Sequence, residues 1–443
     1  MIVSVRTICS LMTAHDEMVV ASLKVRQPRS VSLKRGGGQV VARRFSVTHP
    51  RAEMPILVAL SICCFAAALI VRLVDPLVPG IARDFGSSPA TIALLASAFA
   101  FPYALGQPLL GPLGDSIGKA RIIKGCLIIL AAALALSAIA PTPETLFAAR
   151  IAAGLAAGGT VPVSLAMVGD RVPLDQRQVA LSRLLMAMLS GQLAGALGAG
   201  VVGSLLGWRA VMWIGFAIIV AAAVLAHVYL TPRQAVVRKP FSLASIRDGY
   251  ALVFANPRAK ICYGAVYIGG VCLFGMLPHV AHMLEERGAG SIREAGFVIS
   301  GMAIGGVIYA IGVRRILDAL GGQMNMIRAG GLVAAMGFGL AALDLTWPQE
   351  MAAFVIIGIG FYMVHNSLQT QATELAPTAR GASVSLHAFC FYMGQASGPP
   401  LFAAGFAAFG PAATLALAAA TMAILGFALA SLLTRSDTAK VAA

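Results

Sequence analysis

"GPLGDSIGKARIIKG", Gly111–Gly125, decides how the chain is to be read. The apolar run Ile92–Leu110 precedes it, and Ile128–Ala140, without a single charge, follows it. A glycine-rich stretch carrying Asp115, Lys119, Arg121 and Lys124 between two such runs suits a tight turn between helices that cross a membrane. The whole chain agrees: its 443 residues are 58% hydrophobic and only 12% charged. Soluble domains carry about 45–50% apolar and about 25% charged residues. So few charges cannot cover a water-facing surface, and a lipid bilayer is the expected partner.

A helix needs roughly 20 mostly apolar residues to cross the hydrocarbon core. Twelve runs meet that length: 55–76, 89–110, 122–140, 146–168, 179–206, 210–230, 261–284, 295–313, 327–343, 351–373, 382–404 and 411–433. They are continuous rather than alternating, so they read as helices and not as strands of a barrel. The expected fold class is an all-α membrane protein.

A net charge of +15 raises the question of nucleic acid. Its placement answers it. With the N-terminus started in the cytoplasm, all but six of the 33 basic residues fall on one side. The exceptions are Arg72, Arg83, Arg150, Arg209, Arg287 and Arg293. Basic loops stay inside, so both termini are expected in the cytoplasm and no nucleic-acid partner is expected. Trp208, Trp213 and Trp347 fall near the outer ends, where interfacial anchors sit. The seven cysteines are scattered and form no CxxC pair, so neither a disulfide nor a metal site is expected.

Residues 1–54 are basic and lack the uninterrupted apolar core of a secretory signal. They read as a disordered cytoplasmic tail or as a start upstream of a true initiator at Met54; their acid-poor character also loosely suits a mitochondrial presequence. Residues 435–443 read as a second cytoplasmic tail.

The chain repeats itself. Asp115 and Gly118 recur as Asp318 and Gly321, Arg177 as Arg380, and Gly191, Gln192 and Gly195 as Gly394, Gln395 and Gly398, each 203 positions on. Two halves of six helices follow, 55–230 and 261–434, joined by a cytoplasmic linker, 231–260. Duplicated halves around a midplane cavity form a transporter architecture.

The quoted stretch therefore sits between the second and third helices on the basic side. Gly111 and Gly114 allow close approach of another helix, and Asp115 can pair with Lys119 or Arg121, or face a helix N-terminus. Two readings stand: a latch that holds one state, and a plain charged turn that sets topology. The echo around Asp318 favours the latch.

These residues resemble a family signature. "GPLGDSIGKARI" is similar to the loop signature G-x-L-a-D-r-x-G-r-k of the major facilitator superfamily, with Ser116 where Arg is usual. "LFAARIAAGLAAG" resembles the family's fourth-helix signature through Leu146, Arg150, Gly154 and Gly158, with Ala153 where Gln is common. "GQLAGALGAG" resembles the fifth-helix GxxxGPxxGG of the proton-driven exporters, with Ala196 in place of Pro. The Pro version stands in the eleventh helix, at Gly394, Gly398 and Pro399. The resemblance spans 55 to about 433. It implies two six-helix bundles related by a pseudo-two-fold axis, alternating access, a small-molecule substrate, and the drug and metabolite antiporter branch. In similar exporters the fourth-helix Arg, here Arg150, is linked to proton transfer.

Ionisable groups within the bilayer cost ~2.5–3.5 kcal/mol each on insertion scales, so the few present are candidates for chemistry. Arg72 and Asp75, three residues apart, share a helix face and can pair. Pro76 and Pro79 break the helix directly after. Asp75 is expected to take and release the coupling proton, with Arg150 and Arg72 setting its affinity; the competing reading is an outer-end ion pair near the headgroups. His365, Asn366, Gln369, His387 and Phe391 are expected to line the substrate cavity together with Tyr103 and Gln107. Interhelical hydrogen bonding, worth ~0.6 kcal/mol on average, explains any one of them equally well. His279 and His282 read as interfacial. Gly154, Gly191, Gly195, Gly394 and Gly398 read as packing positions.

The expected function is proton-coupled export of a small molecule. Uptake of a metabolite and a non-transporting membrane sensor are the alternatives. No GxxxxGK[ST] is present, so the proton gradient rather than ATP is the expected energy source, with no cofactor. No enzyme is expected, since no nucleophile–base spacing appears. A monomer in a bacterial plasma membrane is expected.

Overall fold

The computed structural model describes residues 54–172, 174–230 and 243–441. Most of the basic tail and the first part of the linker, 231–242, lie outside the described residues. The described chain is helical throughout. The first half holds α1 (Met54–Val71), a 3₁₀ turn (Asp75–Leu77), α2 (Val78–Phe85), α3 (Pro89–Ile117), α4 (Lys119–Ala138), α5 (Pro143–Arg171), α6 (Leu174–Leu206) and α7 (Trp208–Tyr229). After α8 (Leu243–Phe254), the second half holds α9 (Arg258–Gly275), a 3₁₀ turn (Leu277–His279), α10 (Val280–Glu286), α11 (Ile292–Leu320), α12 (Gln323–Ala341), α13 (Trp347–Leu375) and α14 (Arg380–Val441).

Eleven segments are long and apolar enough to cross a membrane. The expected eleventh and twelfth runs form one of them, because α14 continues through Gly410, whose φ of 80° breaks the helix just before Pro411. The fold thus keeps about twelve passes. One end gathers the basic turns around Gly118, Gly321 and Arg380, and is called the basic end below; the other is the far end. Four of the helices starting at the far end are capped by hydroxyls, at Ser88, Thr142, Ser291 and Thr346, whereas α7 follows Gly207. Ser88 Oγ accepts the Thr91 N–H at the start of α3, and Ser291 and Thr346 open capping boxes at α11 and α13.

Three local expectations are corrected. The quoted stretch is not a turn from Gly111 onward: α3 runs through it to Ile117, and α4 starts at Lys119. The turn is Gly118 alone, whose φ of 113° is open to glycine and costly for other residues. Packing carries α3 past its glycines, for Gly106 and Gly114 face Leu155, Gly158 and Val163 of α5. The break near Asp75 comes before that residue, not after it. Pro76 has no N–H to continue the helix, so the turns tighten at Arg72 and Leu73 and Asp75 opens the 3₁₀ turn. Part of the expected linker is helical, as α8.

The buried apolar side chains form two large clusters. One runs from Ile56 to Leu230 and borrows Ile292. The other runs from Val253 to Leu433 and borrows Ala196. The repeated glycines do the same work in each. A Cβ on Gly191 or Gly195 would overlap the carbonyl oxygens of Phe65 and Leu69 in α1. One on Gly394 would overlap the Tyr267 carbonyl oxygen of α9, and one on Gly398 would meet the Gly275 backbone. Glycine lets these helix backbones touch. Gly154 does likewise in α5 against Phe99 of α3.

Candidate functional site

The break between α1 and α2 carries the charges. Arg72 Nη1 donates to Asp75 Oδ2 at 3.0 Å. Both are enclosed by protein, at 4% and 2% exposure. The Arg72 guanidinium lies 4.2 Å over the ring of Phe274, which belongs to α9 in the other half. Arg150 of α5, 1% exposed, lies 4.3 Å over Phe99 of α3. Two guanidiniums and one carboxylate are therefore buried here, with Asp75 paired to Arg72. Glu294 and Glu350 are also buried, but they sit in the first turns of α11 and α13 at the far end.

The second half supplies rings. His365 of α13 stacks on Phe361 at 5.0 Å and meets His387 and Phe391 of α14 at 5.1 and 4.6 Å. Phe391 also meets Phe274 at 5.3 Å and Tyr392 at 5.1 Å. Tyr392 then crosses to the first half, 4.0 Å from Tyr103 of α3, and Tyr103 meets Phe99 at 5.8 Å. A chain of rings thus leads from beneath Arg150 to beneath Arg72. The nitrogens Arg72 Nε, Arg150 Nε and Nη1, His365 Nδ1 and both of His387 are buried without a hydrogen-bond partner.

The residues expected to line a cavity divide. Tyr103, His365, His387 and Phe391 come together in this cluster. Gln107 is taken up by packing instead: its Nε2 donates to the Gly158 carbonyl, and its own backbone carbonyl accepts from Ser385 Oγ across the halves. Asn366 is half-buried and makes none of the cluster's ring contacts. Gln369 is exposed and hydrogen-bonds to none of the cluster. Phe99, Phe274, Phe361 and Tyr392 were not singled out by sequence. In apolar helices an aromatic facing a partner and one facing lipid look alike, and no charge or glycine marks the difference.

At the basic end Lys119 Nζ is bonded to Asp170, both in the first half. Arg121 Nη1 reaches the Ile117 carbonyl at 3.4 Å. The side chain of Asp115 lies outside the described residues. Asp318, its counterpart, is exposed and makes no ion pair among the described residues. An ion pair that does join the halves stands at the far end, where Arg83 Nη1 meets Glu285 at 3.1 Å. It borders a cleft of about 460 Å³. That cleft is a poor candidate site, because its charges are already matched: Asp84 accepts from Trp208 and Arg209. Trp208 is thus buried rather than interfacial, its ring N–H committed to Asp84. His279 is likewise no interfacial residue: it is buried, with Nε2 3.1 Å from the Pro399 carbonyl.

A two-half helical membrane bundle with charges buried between its halves is built as a secondary transporter. Residues 60–399 match the profile of the Major Facilitator Superfamily, and the chain belongs to that family. It is a multi-pass membrane protein that moves a small molecule, not an enzyme. It is 26% identical over 391 residues to the uncharacterised MFS-type transporter YwfA of Bacillus subtilis, covering 85% of this chain and 92% of that one. It is 33% identical over 157 residues to a chloramphenicol resistance protein of Streptomyces lividans, covering 35% and 40%. Its fold is similar to that of the nucleoside transporter NupG, with a TM-score of 0.70, 16% identity, and 85% and 99% coverage.

Proposed function

We propose that the chain is a proton-coupled exporter in which Asp75 takes and releases the proton, with Arg72 and Arg150 as its charged partners. The observation that carries this is a buried carboxylate at a helix break, held by Arg72 and facing the opposite half. Burial of a carboxylate beside mobile elements is what proton coupling needs: protonation removes the ion pair and changes which packing of the halves is favoured. The halves 55–230 and 261–434 act as the two bodies, joined by the linker 231–260. The basic end, both termini and the linker face the cytoplasm of a bacterial plasma membrane, and the chain works as a monomer. The glycine pattern of α6 and the likeness to the chloramphenicol resistance protein support export.

Uptake of a metabolite is the alternative direction. The buried cluster holds two guanidiniums against one carboxylate, so it suits a negative substrate better than a positive one. Vesicles of stated orientation carrying an imposed pH gradient test both readings. Asp75→Asn is expected to abolish gradient-driven movement while the purified protein stays monodisperse. Full pumping by that variant would remove Asp75 from the mechanism.

A further inference from the structure

The surplus charge points to a substrate class. Arg150 is almost wholly buried, yet its Nε and Nη1 have no hydrogen-bond partner, and Arg72 Nε has none either. Buried donors left unpaired are costly, and buried charges more so. Asp75 compensates one guanidinium, through Arg72. Cation–π contact with Phe99 offsets part of the cost for Arg150, but it satisfies no N–H. The remaining need is for an acceptor with negative charge. The surroundings limit its shape: Tyr103, Tyr392, Phe391 and His365 form a continuous run of rings from the first half to the second. Flat apolar bodies pack well on such rings.

We infer that, when the two halves part, the site binds a flat organic monoanion, its carboxylate taken by the unpartnered guanidinium nitrogens of Arg150 and its ring laid along the Tyr103–Tyr392–Phe391 run. A guanidinium edge matches a carboxylate in two parallel hydrogen bonds. The unpartnered nitrogens of His365 and His387 receive polar substituents at the other end of the ligand. An organic cation is disfavoured, because it enters a cluster already one charge positive. The inference rests on the reading of this cluster as the transport site, and adds to it what the site selects.

The test uses the full chain, purified and in liposomes, with benzoate and 2-naphthoate as probes and benzylamine and benzyl alcohol as matched comparators. Both carboxylates are expected to raise the unfolding midpoint and to bind saturably; the amine and the alcohol are expected to do neither. Arg150→Lys is expected to weaken carboxylate binding about tenfold and Arg150→Gln to abolish it. Should Arg150→Gln fail to fold, Phe391→Ala is the second variant, with about tenfold weaker 2-naphthoate binding expected. Asp75→Asn, by leaving both guanidiniums uncompensated, is expected to tighten carboxylate binding. Unchanged carboxylate binding in Arg150→Gln overturns the inference. So does binding of the amine in preference to both carboxylates, or binding of neither carboxylate. Carboxylate binding without flux upholds the anion site and counts against transport. Flux of the amine without carboxylate binding does the reverse.

Discussion

The two halves share a scaffold and differ in what they bury. Gly191 and Gly195 hold α6 against α1, and Gly394 and Gly398 hold α14 against α9, at matching positions. Each half also opens with a broken helix whose 3₁₀ turn contains a proline, Pro76 in one and Pro278 in the other. The chemistry is not duplicated. Arg150 corresponds, 203 positions on, to Ala353, while His387 and Phe391 correspond to Leu184 and Met188. The first half brings the charges with two rings, Phe99 and Tyr103, and the second brings the histidines and the other rings. Backbone contact was kept because both halves must pack and move alike; side-chain chemistry was free to diverge because each face meets the substrate once. The division assigns coupling and the grip on charge to the first half, and the histidines and most of the ring surface to the second.

The largest expected effect tests that assignment at the two matched turns. Asp75→Asn is expected to lower gradient-driven flux to that of empty liposomes. His279→Gln, in the turn of the second half, is expected to keep at least half of the flux, because His279 serves a contact with the Pro399 carbonyl. Equal losses from both would erase the distinction.

Matched glycines should behave alike. Gly191→Val and Gly394→Val each force a side chain into a carbonyl of the neighbouring helix, and overpacking of this kind costs about 1–3 kcal/mol. Thermal unfolding in detergent should show similar losses for the two. A large loss at one site alone would mean that the halves are not packed equivalently.

The divergent positions give a smaller, selective effect. His387→Leu places in the second half the residue type that the first half carries at Leu184. The variant is expected to fold with unchanged or higher stability, since it removes two buried nitrogens without partners. Its substrate affinity is expected to fall about tenfold, read as a higher KM with flux at saturation kept.

Much of this architecture is legible in the sequence, for physical reasons that particular residues show. The apolar runs and the 203-residue echo are visible because bilayer thickness and backbone contact each demand residues that few other needs supply. Arg72 and Asp75 are visible because charge in a run of apolar residues is costly. The ring cluster is not visible: Phe274 and Phe361 sit in helices where apolar residues face every direction, and only the meeting of α9, α13 and α14 picks their side of the helix. The continuation of α3 through Gly111–Ile117 was hidden for the opposite reason. Local glycine signals end helices in isolation, and contact with α5 overrides them.

The smallest effects concern the ion pairs at the two ends, and they separate a latch from an ornament. A pair lying inside one rigid half has the same energy in every arrangement of the halves and cannot bias between them. Lys119–Asp170 is such a pair, whereas Arg83–Glu285 crosses from α2 to α10. Both are at least partly exposed, so each is worth about 1 kcal/mol or less. Glu285→Gln is therefore expected to leave the unfolding midpoint within about 2 °C of wild type, but to change the transport rate up to about fivefold by freeing the far end. High salt should mimic it by screening. The exchange Arg83→Glu with Glu285→Arg should restore the wild-type rate, and Asp170→Asn should leave the rate nearly unchanged. A larger effect from Asp170→Asn than from Glu285→Gln would move the latch to the basic end, where Asp115 and Lys119 first suggested one.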